Sequence, residues 1–491
     1  LNVRADAAAR ATAGGARWIA PVALIVVLAL AAGWAVVYLP AWMAIAPLAG
    51  LLAATIWLQI PVISLYALAA IAPFDLSYQI GGLSDVRIQD ALILTLSVSA
   101  VTALLAGSRR RLRLKVPIAK GLLALWLFLL IWGTVAFLLG PANQWLLKDA
   151  THNAWYVYRD IGRSLIVFPL VLLCLDNRMS ITRMIDTMVA TGVFVALDAI
   201  WLTRYSEENA AGPFGHQNAL AGYMVMIMPL ASAQLLLGER PLRRVLHGTA
   251  LAMMLRALWL SGSRGGLVAF LASFGVLAIF VPRRRAVAVG AAGLVGLALV
   301  VALRGDLLNM PMMQRFIVLT DVKDVDTFQW RQEQWAIFIQ RIGERPWLGT
   351  GSDVDESLRD MDRAQTAHNA FLALSVKSGI PSAVAWGFVL IALLWRSVGG
   401  VLRSITSQEK AFWVGALSFL VGLILDNLVE SNLLSIPAQH CFWIVAACSL
   451  LMASPEGSMV GDLVTRGGSD SPSEAGASGM VRLRDGRVSP R

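Results

Sequence analysis

Apolar runs of roughly 18–22 residues recur along most of the chain, enough to cross a ~30 Å hydrocarbon core as helices, with shorter ones such as 60–74 and 164–175 among them. They are predicted at 18–38, 41–58, 60–74, 88–107, 118–140, 164–175, 183–203, 217–237, 246–260, 266–281, 286–303, 382–395, 411–428 and 434–452. Apolar residues follow one another without strict alternation. That pattern suits helices, whose backbone groups are satisfied within the segment, and argues against a barrel of strands. One long polar interruption, Arg304 to Ala367, breaks the series, and its heart runs from Trp330 to Asn369.

The short polar stretches set the topology. Ser108–Lys115, Asp176–Arg183, Glu239–Arg244, Pro282–Arg285 and Arg396–Lys410 are all rich in basic residues. Placing every one of them on the cytoplasmic side gives about 14 spans with both termini inside, as the positive-inside rule requires. Ser261–Gly266 and the long loop then fall outside. The expected fold is all-α, a polytopic helical membrane protein with one large periplasmic loop. Its divisions are a cytoplasmic tail at 1–17, a helical bundle at 18–303, the loop with interfacial helices at 304–381, C-terminal spans at 382–453 and a disordered cytoplasmic tail at 454–491.

Composition agrees, with 57% hydrophobic and 15% charged residues, the balance of a polytopic membrane protein. The net charge of +10 sits in loops between spans, so it marks topology rather than nucleic-acid binding. Cys174, Cys441 and Cys448 lie in apolar runs and imply neither a disulfide framework nor a zinc site. The first apolar run is longer than a signal-peptide core and reads as a retained span. No internal repeat is evident.

Candidate chemistry lies in the outer polar stretches. In Ser261–Gly266 (SGSRGG), Ser263 is an N-cap for the following helix, and Arg264 sits where free amides already favour an anion. Gly265 and Gly266 would let a ligand approach the backbone, and an arginine there can grip a diphosphate. The ordinary alternative is an interfacial arginine reaching water. Arg256 stands inside an apolar run, where a charge is costly. It either pairs with Asp198 or lines the same anion cavity as Arg264. In the long loop, Arg331, Trp335, Phe338 and Ile342 share helical spacing, which places this helix on the membrane or at the bundle mouth. Pro346 ends it, and Gly349–Ser352 turns the chain. Asp353 and Asp355 mimic a metal-binding DxD, though a solvated acidic loop explains them as well, and no metal or cofactor is expected. His368 and Asn369 open a short helix, and a histidine at a bundle mouth can serve as a general base. His216 and Asn218 open a span on the same side. Asp426, Asn427 and Glu430 cluster at the last outer turn. The combination of arginines, histidines and amides on one face reads as phosphate binding plus a base.

Four stretches carry a family resemblance: Gly212–Leu230, Ser261–Gly266, Arg331–Ser352 and Ala367–Gly387. In order and spacing the chain resembles the O-antigen ligase and polymerase family of bacterial membrane glycosyltransferases. That resemblance implies a GT-C-like helical bundle in the inner membrane with a periplasmic site. It implies metal-independent transfer of a glycan from an undecaprenyl-diphosphate carrier to a glycan or lipid A core acceptor. It also implies that Arg264 and Arg331 engage the diphosphate and that His368 is the base. Asn369, His216 and Asn218 would orient sugar or phosphate. The motifs do not separate ligase from repeat-unit polymerase or protein O-glycosyltransferase, and they leave the oligomeric state open. A secondary transporter is the competing class, but it would show paired broken helices and a midplane site. A structural partner of a lipid flippase is a weaker alternative. The expectation that ties these together is geometric: Arg264, Arg331 and His368 should gather at one pocket.

Overall fold

In a computed structural model of the protein, residues 61–74, 77–80, 83–105, 117–140, 155, 157–175, 177–203, 209–285, 287, 325–351 and 367–452 are described. The spans expected at 18–38, 41–58 and 286–303, the basic stretch Ser108–Lys115, Asp353, Asp355 and both tails lie outside them.

The chain runs through α1 (Pro61–Ile71), a hairpin of β1 (Ser77–Ile80) and β2 (Leu83–Arg87), α2 (Ile88–Leu105), α3 (Pro117–Leu139) and α4 (Val167–Cys174). It continues through α5 (Arg178–Leu202), α6 (Gln217–Leu237), α7 (Pro241–Ser261), α8 (Arg264–Phe280) and α9 (Val325–Glu344). It ends with α10 (Ala370–Ser378), α11 (Ile380–Arg403), α12 (Ser407–Val429) and α13 (Ile436–Leu451). Five described helices are long and apolar enough to cross a membrane, namely α3, α5, α6, α11 and α12. The protein is an all-α membrane protein with one addition to the expectation. The antiparallel hairpin pairs Ser77 with Arg87 and Ile80 with Leu83, with a register irregularity between Tyr78 and Ile80.

The apolar runs locate the helices, but charge does not end them. The run at 217–237 coincides with α6. By contrast α11 extends through Arg396 to Arg403, a stretch expected to be a cytoplasmic loop. Arginine is a good helix former, so the helix continues past the end of its apolar segment. Arg163 lies in the polar segment between the runs at 118–140 and 164–175. It is fully buried and forks onto Asp90, with Nε on Oδ1 and Nη2 on Oδ2, both at 2.8 Å. Tyr158 adds its hydroxyl to Oδ1 at 2.8 Å. A buried guanidinium must find a carboxylate, and this one pins a π turn (Tyr158–Gly162) to the start of α2.

α6 is the central helix, buried along nearly its whole length and packed against α7, α8 and α12. With lipid outside there is little hydrophobic drive between helices, so close packing at small residues does much of the work. A Cβ on Gly422 would lie 2.2 Å from Ser273 Oγ and 2.8 Å from Val225. A Cβ on Gly192 would lie 2.7 Å from the Met254 sulfur. The helix ends sort into two faces. The starts of α6, α8 and α10 meet the end of α12. The starts of α5 and α12 meet at the other, where Arg178 pairs with Glu409 and Arg243 with Asp186 at 2.6 Å. At 1.5 Å per residue, α6 puts about 32 Å between the faces, the thickness of a hydrocarbon core.

Candidate active site

Three helix starts and one helix end build the site, each with its own local cause. Ser263, in extended backbone, accepts from the Gly266 N–H at 3.3 Å and starts α8. Before it α7 ends at Gly262 with φ 63, the left-handed position glycine adopts freely. His216 starts α6, its Nδ1 accepting from the Asn218 N–H at 3.3 Å. Asn369 starts α10, its Oδ1 accepting from the N–H groups of Phe371 and Leu372 at 3.0 and 3.1 Å. Each is an N-cap that satisfies otherwise orphaned amides.

Glu430 follows the last residue of α12 and joins these parts. Its Oε1 accepts from Arg331 Nη2 at 2.9 Å and from Asn218 Nδ2 at 2.8 Å. Its Oε2 lies 3.0 Å from His368 Nδ1. A carboxylate can only accept, so in the neutral imidazole the His368 proton sits on Nδ1 and Nε2 carries the lone pair. The carboxylate is 9% exposed and its two cationic or basic partners 23% and 17%. The cluster is therefore sheltered but open to a ligand. His368 is the one non-glycine residue at positive φ, 42°, among the described residues. A backbone held there costs on the order of 1 kcal/mol or more and persists where the surroundings enforce it. Trp330 packs edge-on against the His368 ring, with centroids 5.2 Å apart.

The apolar stripe of α9 has a clear destination. Phe338 is buried with Ala367, Ala373 and Val376, and Ile342 packs on them. Trp335 Nε1 donates to Ala367 O at 2.9 Å. The stripe thus docks α9 at the bundle mouth, on α10, and carries Arg331 to Glu430. The Gly349–Gly351 turn locks the other end. Thr350 N and Gly351 N donate to Val376 O and Lys377 O at 2.7 and 3.0 Å. A Cβ on Gly349 would come within 2.3 Å of Val376 O. Packing accounts for this turn.

The seven candidate side chains divide. Arg331, His368 and Asn218 meet on Glu430. Asn369 caps α10 and donates to Leu428 O at 3.2 Å, two residues from Glu430. Arg264 opens α8 on the same face. Its neighbour Gly265 is so close to α12 that a Cβ there would lie 3.1 Å from Val429, the residue before Glu430. Exposed His216 uses one ring nitrogen as a cap. Arg256 is half-buried five residues before the end of α7.

Glu430 was visible in the sequence as an outer polar group but not as the centre. The available signal was an ionisable residue at the end of an apolar span, close to Asp426, Asn427 and Asn432. Those residues brace its turn. Asn432 Nδ2 donates to Asp426 Oδ2 at 2.9 Å and Asn218 O at 3.0 Å. Asn427 Oδ1 accepts from Leu433 N at 2.6 Å.

Residues 249–387 match the family model described as O-antigen ligase. The matched segment contains Arg256, Arg264, Arg331, His368 and Asn369. The chain is similar to the O-antigen ligases. The O-antigen ligase of Pseudomonas aeruginosa is 25% identical over 309 residues, covering 60% of this chain and 70% of that protein. Asn218 and Glu430, which complete the cluster, lie outside the matched family segment.

Proposed function

We propose that this chain moves a glycan from an undecaprenyl-diphosphate carrier to an acceptor hydroxyl, as an O-antigen ligase-like transferase of the inner membrane working at its periplasmic face. The observation that carries the reading is the meeting of Arg331, His368 and Asn218 on Glu430 beside the Arg264 helix start. The basic residues at the opposite helix ends support a periplasmic placement of that face.

Arg264 and Arg331 hold the diphosphate. Arg331 spends one N–H on Glu430, and a guanidinium has five, so donors remain for phosphate oxygens. Their positive charge stabilises the charge that grows on the leaving group, the part a divalent cation plays in metal-dependent transferases. The acceptor oxygen attacks the anomeric carbon, and a new C–O bond forms there. The bond from that carbon to the diphosphate oxygen breaks, and its electron pair leaves with the diphosphate. His368 Nε2 takes the acceptor proton. Glu430 holds the imidazole through Nδ1–H, so it is a positioning residue. A single displacement inverts the anomeric centre. Gln217 Oε1, Gln334 Oε1 and Ser431 Oγ are buried near this face without a partner among the described residues. Buried acceptors need donors, and a hydroxyl-rich glycan supplies them.

The matching family model and the Pseudomonas aeruginosa relative both carry ligase names, so ligation is the reading tested first. The test is a deletion strain of the source bacterium examined for surface glycans. Free lipid A core with accumulated carrier-linked polymer is expected. Single-repeat capping would reassign the chain as a polymerase, and unchanged surface glycans would remove the transferase reading.

A further inference from the structure

The face opposite Glu430 carries a second concavity. Arg178, Trp395, Arg396, Arg403 and Trp413 line a cavity of about 360 Å³ where the ends of α5, α11, α12 and α13 meet. The length of α12 separates it from Glu430, with about 25 Å of helix between Trp413 and that residue.

Its charge is unbalanced. Glu409 is the carboxylate in its lining, and it is already committed: it pairs with Arg178 and accepts from Ile405 N at 3.1 Å. Arg396 and Arg403 set the remaining potential. Arg396 is fixed in place, with Nε donating to Ser449 O at 3.0 Å and its guanidinium carbon 5.9 Å from the centre of the Trp413 ring. Its Nη2 is buried and meets no acceptor among the described residues. Such a donor is costly to leave unmade, and an anionic oxygen is its natural partner. The floor is built from small residues. A Cβ on Gly400 would come within 2.1 Å of Trp413, whereas one on Gly399 would meet nothing within 4 Å. So Gly400 seats the tryptophan and the space over Gly399 stays open. The rim is apolar and exposed: Trp395 and Ile405 are 77% and 92% exposed.

We infer that this cavity binds an anionic diacyl phospholipid of the leaflet on the arginine-rich face. Its phosphate lies on Arg396 and Arg403, and its acyl chains cover Trp395 and Ile405. A soluble phosphate would satisfy the arginines but leave that rim bare. The site is separate from the glycan chemistry and stands whether or not that chemistry is as proposed.

The test uses the purified full chain in a neutral detergent, with thermal unfolding followed as lipid is added. Phosphatidylglycerol is expected to raise the unfolding temperature. Phosphatidylcholine and glycerol 3-phosphate should not. Arg403→Gln replaces an exposed side chain and should raise the phosphatidylglycerol concentration at half-effect about fivefold. Arg240→Gln, an exposed arginine on the same face but away from the cavity, should leave it unchanged. An equal response to phosphatidylcholine, a full response to glycerol 3-phosphate, or equal losses in both variants would overturn the inference.

Discussion

Replacing Glu430 with Gln isolates the charge that gathers the site while keeping its shape. The carboxylate accepts from Arg331 at 2.9 Å, Asn218 at 2.8 Å and His368 at 3.0 Å. A glutamine offers one oxygen to these three donors and turns its own N–H groups toward the others. Hydrogen bonds to a charged group are worth about 1.5–3 kcal/mol each. Arg331 and His368 keep some contact with solvent, 23% and 17% exposed. Screening therefore brings the expected loss of stability to about 2 kcal/mol. The catalytic effect is separate. Without an acceptor for Nδ1–H the imidazole loses its fixed orientation, and losing such a support lowers the rate by up to about 100-fold, or ~2.7 kcal/mol of barrier. Donor affinity should change much less, because both arginines remain. The assay is transfer from a purified lipid-diphosphate glycan to acceptor in nanodiscs, with kcat and donor Kd measured separately below the unfolding temperature of the variant. A Glu430→Gln enzyme with wild-type kcat would refute the positioning role. A fall in Kd affinity equal to the fall in kcat would show that the charge serves donor binding instead.

His368→Ala should abolish transfer while donor binding survives; binding lost in parallel would make the ring a ligand rather than a base. Arg264→Ala should weaken donor binding about 10- to 100-fold, the range of one charge-assisted contact, and unchanged affinity would count against the clamp. Gly222→Ala places a methyl 2.3 Å from Asn432 Nδ2, so the turn behind Glu430 must move. A loss of about 1–3 kcal/mol of stability is expected, with a parallel drop in kcat, and a fully stable and active variant would show that the turn can yield.

Much of the architecture was legible in the residue pattern because it is set locally. The run at 217–237 is α6 to the residue, and Ser263 caps α8 through its own side chain. Hydropathy and capping act over a turn or two of helix, so they leave their mark in contiguous sequence. The pattern was less informative where burial depends on distant partners. Arg163 belongs to a polar segment of the sequence, but Asp90, 73 positions away, draws it into the core. The hairpin at Ser77–Arg87 was absent from the reading because short strands beside long apolar runs leave little periodic signal.

By itself the sequence determined the membrane class, the described helices and the residue types able to bind phosphate and take a proton. Tertiary structure alone decided that Glu430 is their meeting point. That residue is 62 positions from His368, 99 from Arg331 and 212 from Asn218. No local rule relates such positions. Close packing of helix ends does so, as where Gly265 lets α8 rest on Val429 and the stripe of α9 docks on α10, and those contacts exist only once the helices are assembled.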